Sequence, residues 1–238
     1  QDADSVDLGG NWVNYAGTTE LEHFSFGPYG TLNVEQGLLQ INGNIFTEDE
    51  TATLNIDSAG QFWANGFTDS DTLDVSVDGG RFVNTGLWTG TTRLDVTDNA
   101  QAILATDNAS FDVSADSTLH IHGSDARVGF DGDSTNSAIL RLRDGAQLQF
   151  SADENGFSTI EEFYSGAFRD EGVNVNSSML LDGTLILDLG QQTSSGQYTL
   201  IEVDALFGSF DSVIFNGVVN TLDAKLVVDY DSDEVFLE

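Results

Sequence analysis

The sequence predicts an all-β protein, a single-stranded parallel β-helix (β-solenoid) with terminal caps, and three observations predict it. A four-residue unit recurs along the chain, apolar and polar residues alternate inside it, and proline occurs once, at Pro28. The units are Thr31-Leu-Asn-Val, Thr53-Leu-Asn-Ile, Thr72-Leu-Asp-Val, Arg93-Leu-Asp-Val, Ser110-Phe-Asp-Val and Ile139-Leu-Arg-Leu. Their first apolar residues, Leu32, Leu54, Leu73, Leu94, Phe111 and Leu140, stand 22, 19, 21, 17 and 29 residues apart. Alternation of period two puts Leu73 and Val75 on one face of a strand and Asp74 and Ser76 on the other. A second short apolar stretch follows most units, as in Leu38-Leu-Gln-Ile and Gln61-Phe-Trp-Ala, with Gly, Asn or Asp at the turn. Strands of a sandwich have no reason to resemble those twenty residues on, whereas stacked rungs place like residues in register. A chain with one proline keeps nearly all its N–H groups for such ladders.

The elements follow in order within one domain spanning 1–238. Residues 1–30, rich in aromatics around several glycines, are expected to cap the first rung, which would otherwise expose a sheet edge. Residues 31–150 form the repeat rungs. In 151–175 the alternation is lost, and Ser158 with Glu161 has the spacing of a capping box, which predicts an inserted loop with a short helix. Strands resume in 176–238 as the last rungs and a C-terminal cap.

Composition limits the function. Forty Asp plus Glu against seven Lys plus Arg give a formal charge of -33, while 39% of the chain is hydrophobic. That apolar content can build a core, so the acidity belongs to the surface of a folded protein. With no basic patch to neutralise phosphates, non-specific nucleic-acid binding is excluded. Cysteine is absent, which removes disulfides and thiolate metal sites. No apolar run has the length of a transmembrane segment. Abundant Asp, Gly, Ser, Thr and Asn with scarce Lys is the composition expected of a secreted or cell-surface bacterial protein in salty water, and Gln1-Asp-Ala-Asp would suit a mature terminus after signal cleavage. The expected partners are cations, hydrated polysaccharides or other protein surfaces, further copies of the chain included.

The repeated units, together with the ending Tyr198-Thr-Leu-Ile-Glu-Val-Asp, Gly208-Ser-Phe, Leu226-Val-Val-Asp-Tyr and Val235-Phe-Leu, resemble the parallel β-helix passenger regions of autotransporter-type secreted surface proteins of bacteria. That resemblance implies an adhesin-like, non-catalytic surface or matrix protein that binds polysaccharide or assembles with itself.

Candidate chemistry starts with the outward residue of each unit, which reads Asn33, Asn55, Asp74, Asp95, Asp112, Arg141. On adjacent rungs about 4.8 Å apart, three stacked carboxylates repel by roughly 1–3 kcal/mol per pair. A bound Ca²⁺ or a raised carboxyl pKa would offset this. The fold is also similar to that of pectate-lyase-like enzymes, and this implies Asp74, Asp95 and Asp112 as ligands holding Ca²⁺ against a uronate, with Arg141 or Arg143 as the base. A glycoside hydrolase would instead use two of the Asp residues as acid and base. His120 and His122 share one face of a strand, and motif alignment sets them beside Gln147 and Gln149. Asp131-Gly-Asp133 opens an Asp-rich turn with the alternating oxygens of a calcium loop, without the full twelve-residue pattern. Trp63, on a second strand, and Trp88, in a turn between repeats, offer ring faces that suit sugars. No Ser–His–Asp set is suggested by the spacing.

Overall fold

The computed structural model describes residues 5–8, 11–14, 17–27, 29–43, 45–47, 51–67, 72–89, 91–97, 99–106, 108–131, 137–164, 167–168, 176–190, 196–216 and 225–238. These are all β, with no helix, and the sheets are built from parallel pairs apart from a short antiparallel contact, the C-terminal hairpin and the pairing of that hairpin with Tyr198–Glu202. Among them no helix is long and apolar enough to cross a membrane.

Three parallel ladders are visited in turn. The first takes Asn11–Asn14, the opening halves of Thr31–Ile41 and Ala52–Ala64, then Thr72–Asp78, Thr91–Thr97, Thr118–His122, Gln147–Ser151, Thr184–Asp188 and Ser212–Asn216. The second takes Thr18–Leu21, the closing halves of the two long strands, Arg81–Asn84, Gln101–Ala105, Arg127–Asp131, Ile160–Tyr164 and Tyr198–Glu202. The third runs through Ser5–Leu8, His23–Phe26 and Ile45–Thr47, and again through Leu87–Trp88, Ser110–Val113, Ala138–Leu142, Ser177–Leu181 and Ala205–Gly208.

Alternation builds the core as the sequence predicts. Leu32, Leu54, Val75, Leu94, Leu119, Leu148 and Leu185 follow one another in register along the first ladder, and all are buried. Leu39, Phe62, Phe82, Ala102, Val128 and Ile160 do the same along the second. Each large apolar side chain so buried stabilises the fold by about 1.5–3 kcal/mol.

Corners have a chemistry of their own. Asn99, Asn108, Asp116 and Gly145 adopt left-handed backbone angles, φ +62°, +61°, +64° and +83°. The N–H of the small residue that follows (Ala100, Ala109, Ser117, Ala146) bonds back to the carbonyl three residues earlier. Asn, Asp and Gly tolerate that conformation best, and the small residue fits the buried inside of the bend.

Within 1–30, Ser5–Leu8, Asn11–Asn14, Thr18–Leu21 and His23–Phe26 are strands that pair in parallel with the ladders. One expectation changes. The short helix expected in 151–175 is absent where that segment is described. Ile160–Tyr164 is a strand in the second ladder, and it meets Ala167–Phe168 antiparallel. Ser158 is buried and donates its hydroxyl to the Ala126 carbonyl, so it ties together the segments that lead into two neighbouring strands of the second ladder and caps no helix. At the other end Glu234–Leu237 runs antiparallel to Tyr198–Glu202 and closes the second ladder with Leu226–Asp229. Val213, Ile214 and Phe215, on the last strand of the first ladder, are exposed.

Candidate functional site

The outward column differs from the one expected. Asn33 and Asn55 do stack, with an amide bond of 2.7 Å from Asn55 Nδ2 to Asn33 Oδ1. The next step is shifted by two residues, so Ser76 lies beside Asn55, while Asp74 lies beside Thr53 and Arg93. Asp95 then faces Ser76 and His120, and Asp112 belongs to the third ladder, beside Arg141. The three carboxylates are therefore dispersed. Among the described residues no three His, Asp or Glu side chains converge as a metal site. Asp131 ends a second-ladder strand, and Asp133 lies outside the described residues.

Asp112 is only 5% exposed. Arg141 Nη1 donates to its Oδ1 at 3.0 Å, and Arg143 Nε and Nη2 donate to Oδ2, the former at 3.2 Å. Both guanidiniums are thereby committed to one carboxylate. A guanidinium has no lone pair to accept a proton and here its N–H bonds are spent on an ion pair, which counts against Arg141 and Arg143 as a lyase base.

A different set assembles on the first ladder. Asp95 Oδ2 accepts from Arg93 Nε at 2.9 Å, and its Oδ1 lies 3.0 Å from His120 Nδ1. His120 Nε2 lies 2.9 Å from Ser151 Oγ. A carboxylate only accepts, so Nδ1 carries the proton; in the neutral ring Nε2 is then free to accept from the serine hydroxyl. Burial works to raise the Asp95 pKa, but the His120 hydrogen bond and the Arg93 charge outweigh it and hold the carboxyl below its ordinary value. Asp74 goes the other way: burial, helped by the charge of Asp95 and opposed by Arg93, raises it. His122 is exposed, with its ring edge-on to His120 at 6.1 Å. Of the two glutamines expected beside the histidines, Gln149 does lie beside His120, but Gln147 lies beside Thr118 and His122 is beside Ser151.

The two tryptophans part company. Trp88 is 0% exposed, stacked on Phe111 at 5.7 Å and edge-on to Phe82 at 5.2 Å. It is a core residue and presents no face to a sugar. Trp63 is half-buried, with the Arg81 guanidinium 5.6 Å from its ring centroid. It lines a shallow cleft of about 160 Å³ with Gln40, Asn42, Asn65 and Thr85. Gln40 Nε2 donates to Asn42 Oδ1 at 2.7 Å, and Asn65 Nδ2 to the Asn42 carbonyl at 3.2 Å.

Ser151, Arg93 and the amides around Trp63 were not singled out by the sequence, and Glu161 was read only as the second member of a capping box. Burial pushes Glu161 up to about 7; Arg127 opposes the shift and Glu202 adds to it. The signal for Ser151 was present, since extending the match of Thr118–His122 to Gln147–Ser151 by one step sets it beside His122. Against known proteins, the chain matches no family model, no curated protein and no solved structure.

Proposed function

We propose that the three ladders are the faces of a single-stranded parallel β-helix, and that the protein is a secreted or cell-surface bacterial scaffold that binds neutral polysaccharide at the Trp63 cleft. One observation carries the reading: a half-buried indole borders a shallow, open cleft whose remaining polar lining is Gln40, Asn42, Asn65 and Thr85. Sugar rings offer apolar C–H faces and hydroxyls that both donate and accept. An aromatic edge flanked by amides and a hydroxyl answers both needs, and the one charge against the indole, the Arg81 guanidinium, lies over its ring. A net charge of -33 disfavours an acidic polymer at the same surface. The β-helix assignment is supported by the return of the chain to each ladder at every third strand through most of its length. The polymer-cleaving alternative has lost the carboxylate column on which it was built.

Calorimetric titration with soluble neutral glucans and galactans tests the binding. The wild type is expected to bind one of them with little dependence on salt, Trp63→Ala to lose that binding while it still unfolds cooperatively, with a smaller loss of stability than Trp88→Ala, which removes a fully buried core side chain. Equal binding by the wild type and Trp63→Ala, or none by the wild type, overturns the proposal.

A further inference from the structure

We propose that Ser151 is a nucleophile, that His120 is its general base and Asp95 the residue that positions that base, and that the site hydrolyses small neutral carboxylic esters. This goes beyond the binding reading and is independent of the Trp63 cleft.

The geometry has the atoms in the order that acyl transfer requires. Ser151 Oγ is 2.9 Å from His120 Nε2, and His120 Nδ1 is 3.0 Å from Asp95 Oδ1. Such a constellation is recognised by roles and distances, whatever the chain order. Asp95 is held ionised by Arg93, whose Nε is 2.9 Å from its other oxygen. An ionised partner fixes the imidazole in the tautomer that leaves Nε2 bare, and it stabilises the imidazolium that forms during attack. All three residues sit on consecutive strands of one ladder, Thr91–Thr97, Thr118–His122 and Gln147–Ser151, so rigid sheet holds the set.

The surroundings define the substrate. Ser151 is 7% exposed, so the acyl group that reaches it is small, of acetyl size. The acidic surface repels anionic esters. Backbone N–H groups nearby are committed to the ladder: Gly123 N–H donates to the Ser151 carbonyl and Ala152 N–H to that of Asp188. Donors for the developing oxyanion are therefore side chains, His122 beside Ser151 in the ladder and Gln149 two residues before it. Asp188, on the far side of Ser151, has its Oδ1 turned to the Gly190 N–H at 3.0 Å.

The step balances without a cofactor. As Oγ bonds to the acyl carbon, its proton passes to Nε2. The C–O bond to the alcohol breaks, and the alcohol leaves with that proton. Water then attacks the acyl-serine by the same route and restores the hydroxyl.

Intact-mass and peptide mapping after treatment with methanesulfonyl fluoride, whose transferred group is close to acetyl in size, alongside p-nitrophenyl acetate hydrolysis, tests the site. The wild type is expected to carry one adduct, on the peptide containing Ser151, and to release nitrophenol. Ser151→Ala and His120→Gln are each expected to lower the rate about a hundredfold or more, with circular dichroism unchanged. For Asp95→Asn the readout is the ¹⁵N shifts of the His120 ring, expected to switch from Nδ1–H to Nε2–H as labelling slows. An unlabelled Ser151 overturns the proposal. So does an undiminished rate in Ser151→Ala, which would assign the hydrolysis to the exposed imidazole of His122. Unchanged labelling in Asp95→Asn removes Asp95 from the set.

Discussion

Replacing Glu161 by Gln should make the protein more stable at alkaline pH and leave it unchanged at acid pH. Glu161 lies in the second ladder beside Gly129, half-buried, and burial lifts its carboxyl from 4.5 to about 7, with Arg127 opposing and Glu202 reinforcing. Between those two values the folded chain holds a proton that the unfolded chain has released, so stability falls as pH rises through that window and is level on either side. At about 1.4 kcal/mol per pH unit the full span is worth about 3 kcal/mol. The carboxyl keeps solvent contact, and screening reduces this to roughly 1–2 kcal/mol. For a chain of this size that is a melting shift of roughly 3–6 °C. The assay is thermal unfolding of both proteins at about pH 5 and about pH 8 at one ionic strength. The remaining carboxylates, whose mutual repulsion also changes with pH, act alike in both proteins, so the difference isolates Glu161. Parallel pH dependences, or a Gln variant less stable at about pH 8, would refute the reasoning.

Asp112→Ala should cost about 1.5–3 kcal/mol, because it strands two guanidiniums that donate to one buried carboxylate; urea titration is expected to show a lower midpoint at an unchanged slope. Gly129→Ala should cost about 3 kcal/mol or more, since a Cβ there would stand 1.7 Å from the Glu161 carbonyl oxygen and the two rungs cannot separate without breaking their ladder. Gly17→Ala, where nothing lies within 4 Å and only the φ of +86° is strained, should cost about 1 kcal/mol in the same titration.

Alternation made the strands legible, and the first apolar residue of all six units is buried. What it did not encode was which ladder each strand joins. Thr31-Leu-Asn-Val in the first ladder and Ser110-Phe-Asp-Val in the third carry the same pattern, because every ladder buries one side and wets the other. Position along the turn of chain tells them apart. The 17-residue step from Leu94 to Phe111 is too short to return to the same ladder, which Leu94 does only at Leu119. The corner residues also mark position, since Thr97-Asp-Asn-Ala and Thr106-Asp-Asn-Ala are the same bend used on successive sides. Trp88 was misplaced for a related reason. In a strand of two residues alternation cannot choose between Leu87 and Trp88, and the choice is made by Phe82 on the strand before it and by Phe67 and Phe111, which stand beside Trp88 in the ladder.

The register also answers the electrostatic problem that a stack of Asp74, Asp95 and Asp112 would have posed. Read along the ladder, one outward column of the first face is Asn33, Asn55, Ser76, Asp95, His120, Gln149, Ile186 and Ile214. Its neighbour is Thr31, Thr53, Asp74, Arg93, Thr118, Gln147, Thr184 and Ser212. On the third face Asp112 is followed by Arg141, Leu180 and Phe207. Each of these three columns holds one carboxylate, next to a cation or an imidazole, whereas the second ladder sets Glu202 beside Glu234 and near enough to Glu161 to raise it. In a ladder of about 4.8 Å spacing, a second carboxylate would add roughly 1–3 kcal/mol of repulsion. Acidic residues such as Asp116 and Asp144 occupy turns instead, where their side chains reach water. Under that rule a lone outward carboxylate recruits a donor from the next strand, and an imidazole that takes the role has a second nitrogen left to offer. Its reach brings in the serine of the strand beyond, so the relay of Asp95, His120 and Ser151 follows from how this very acidic chain spaces its charge.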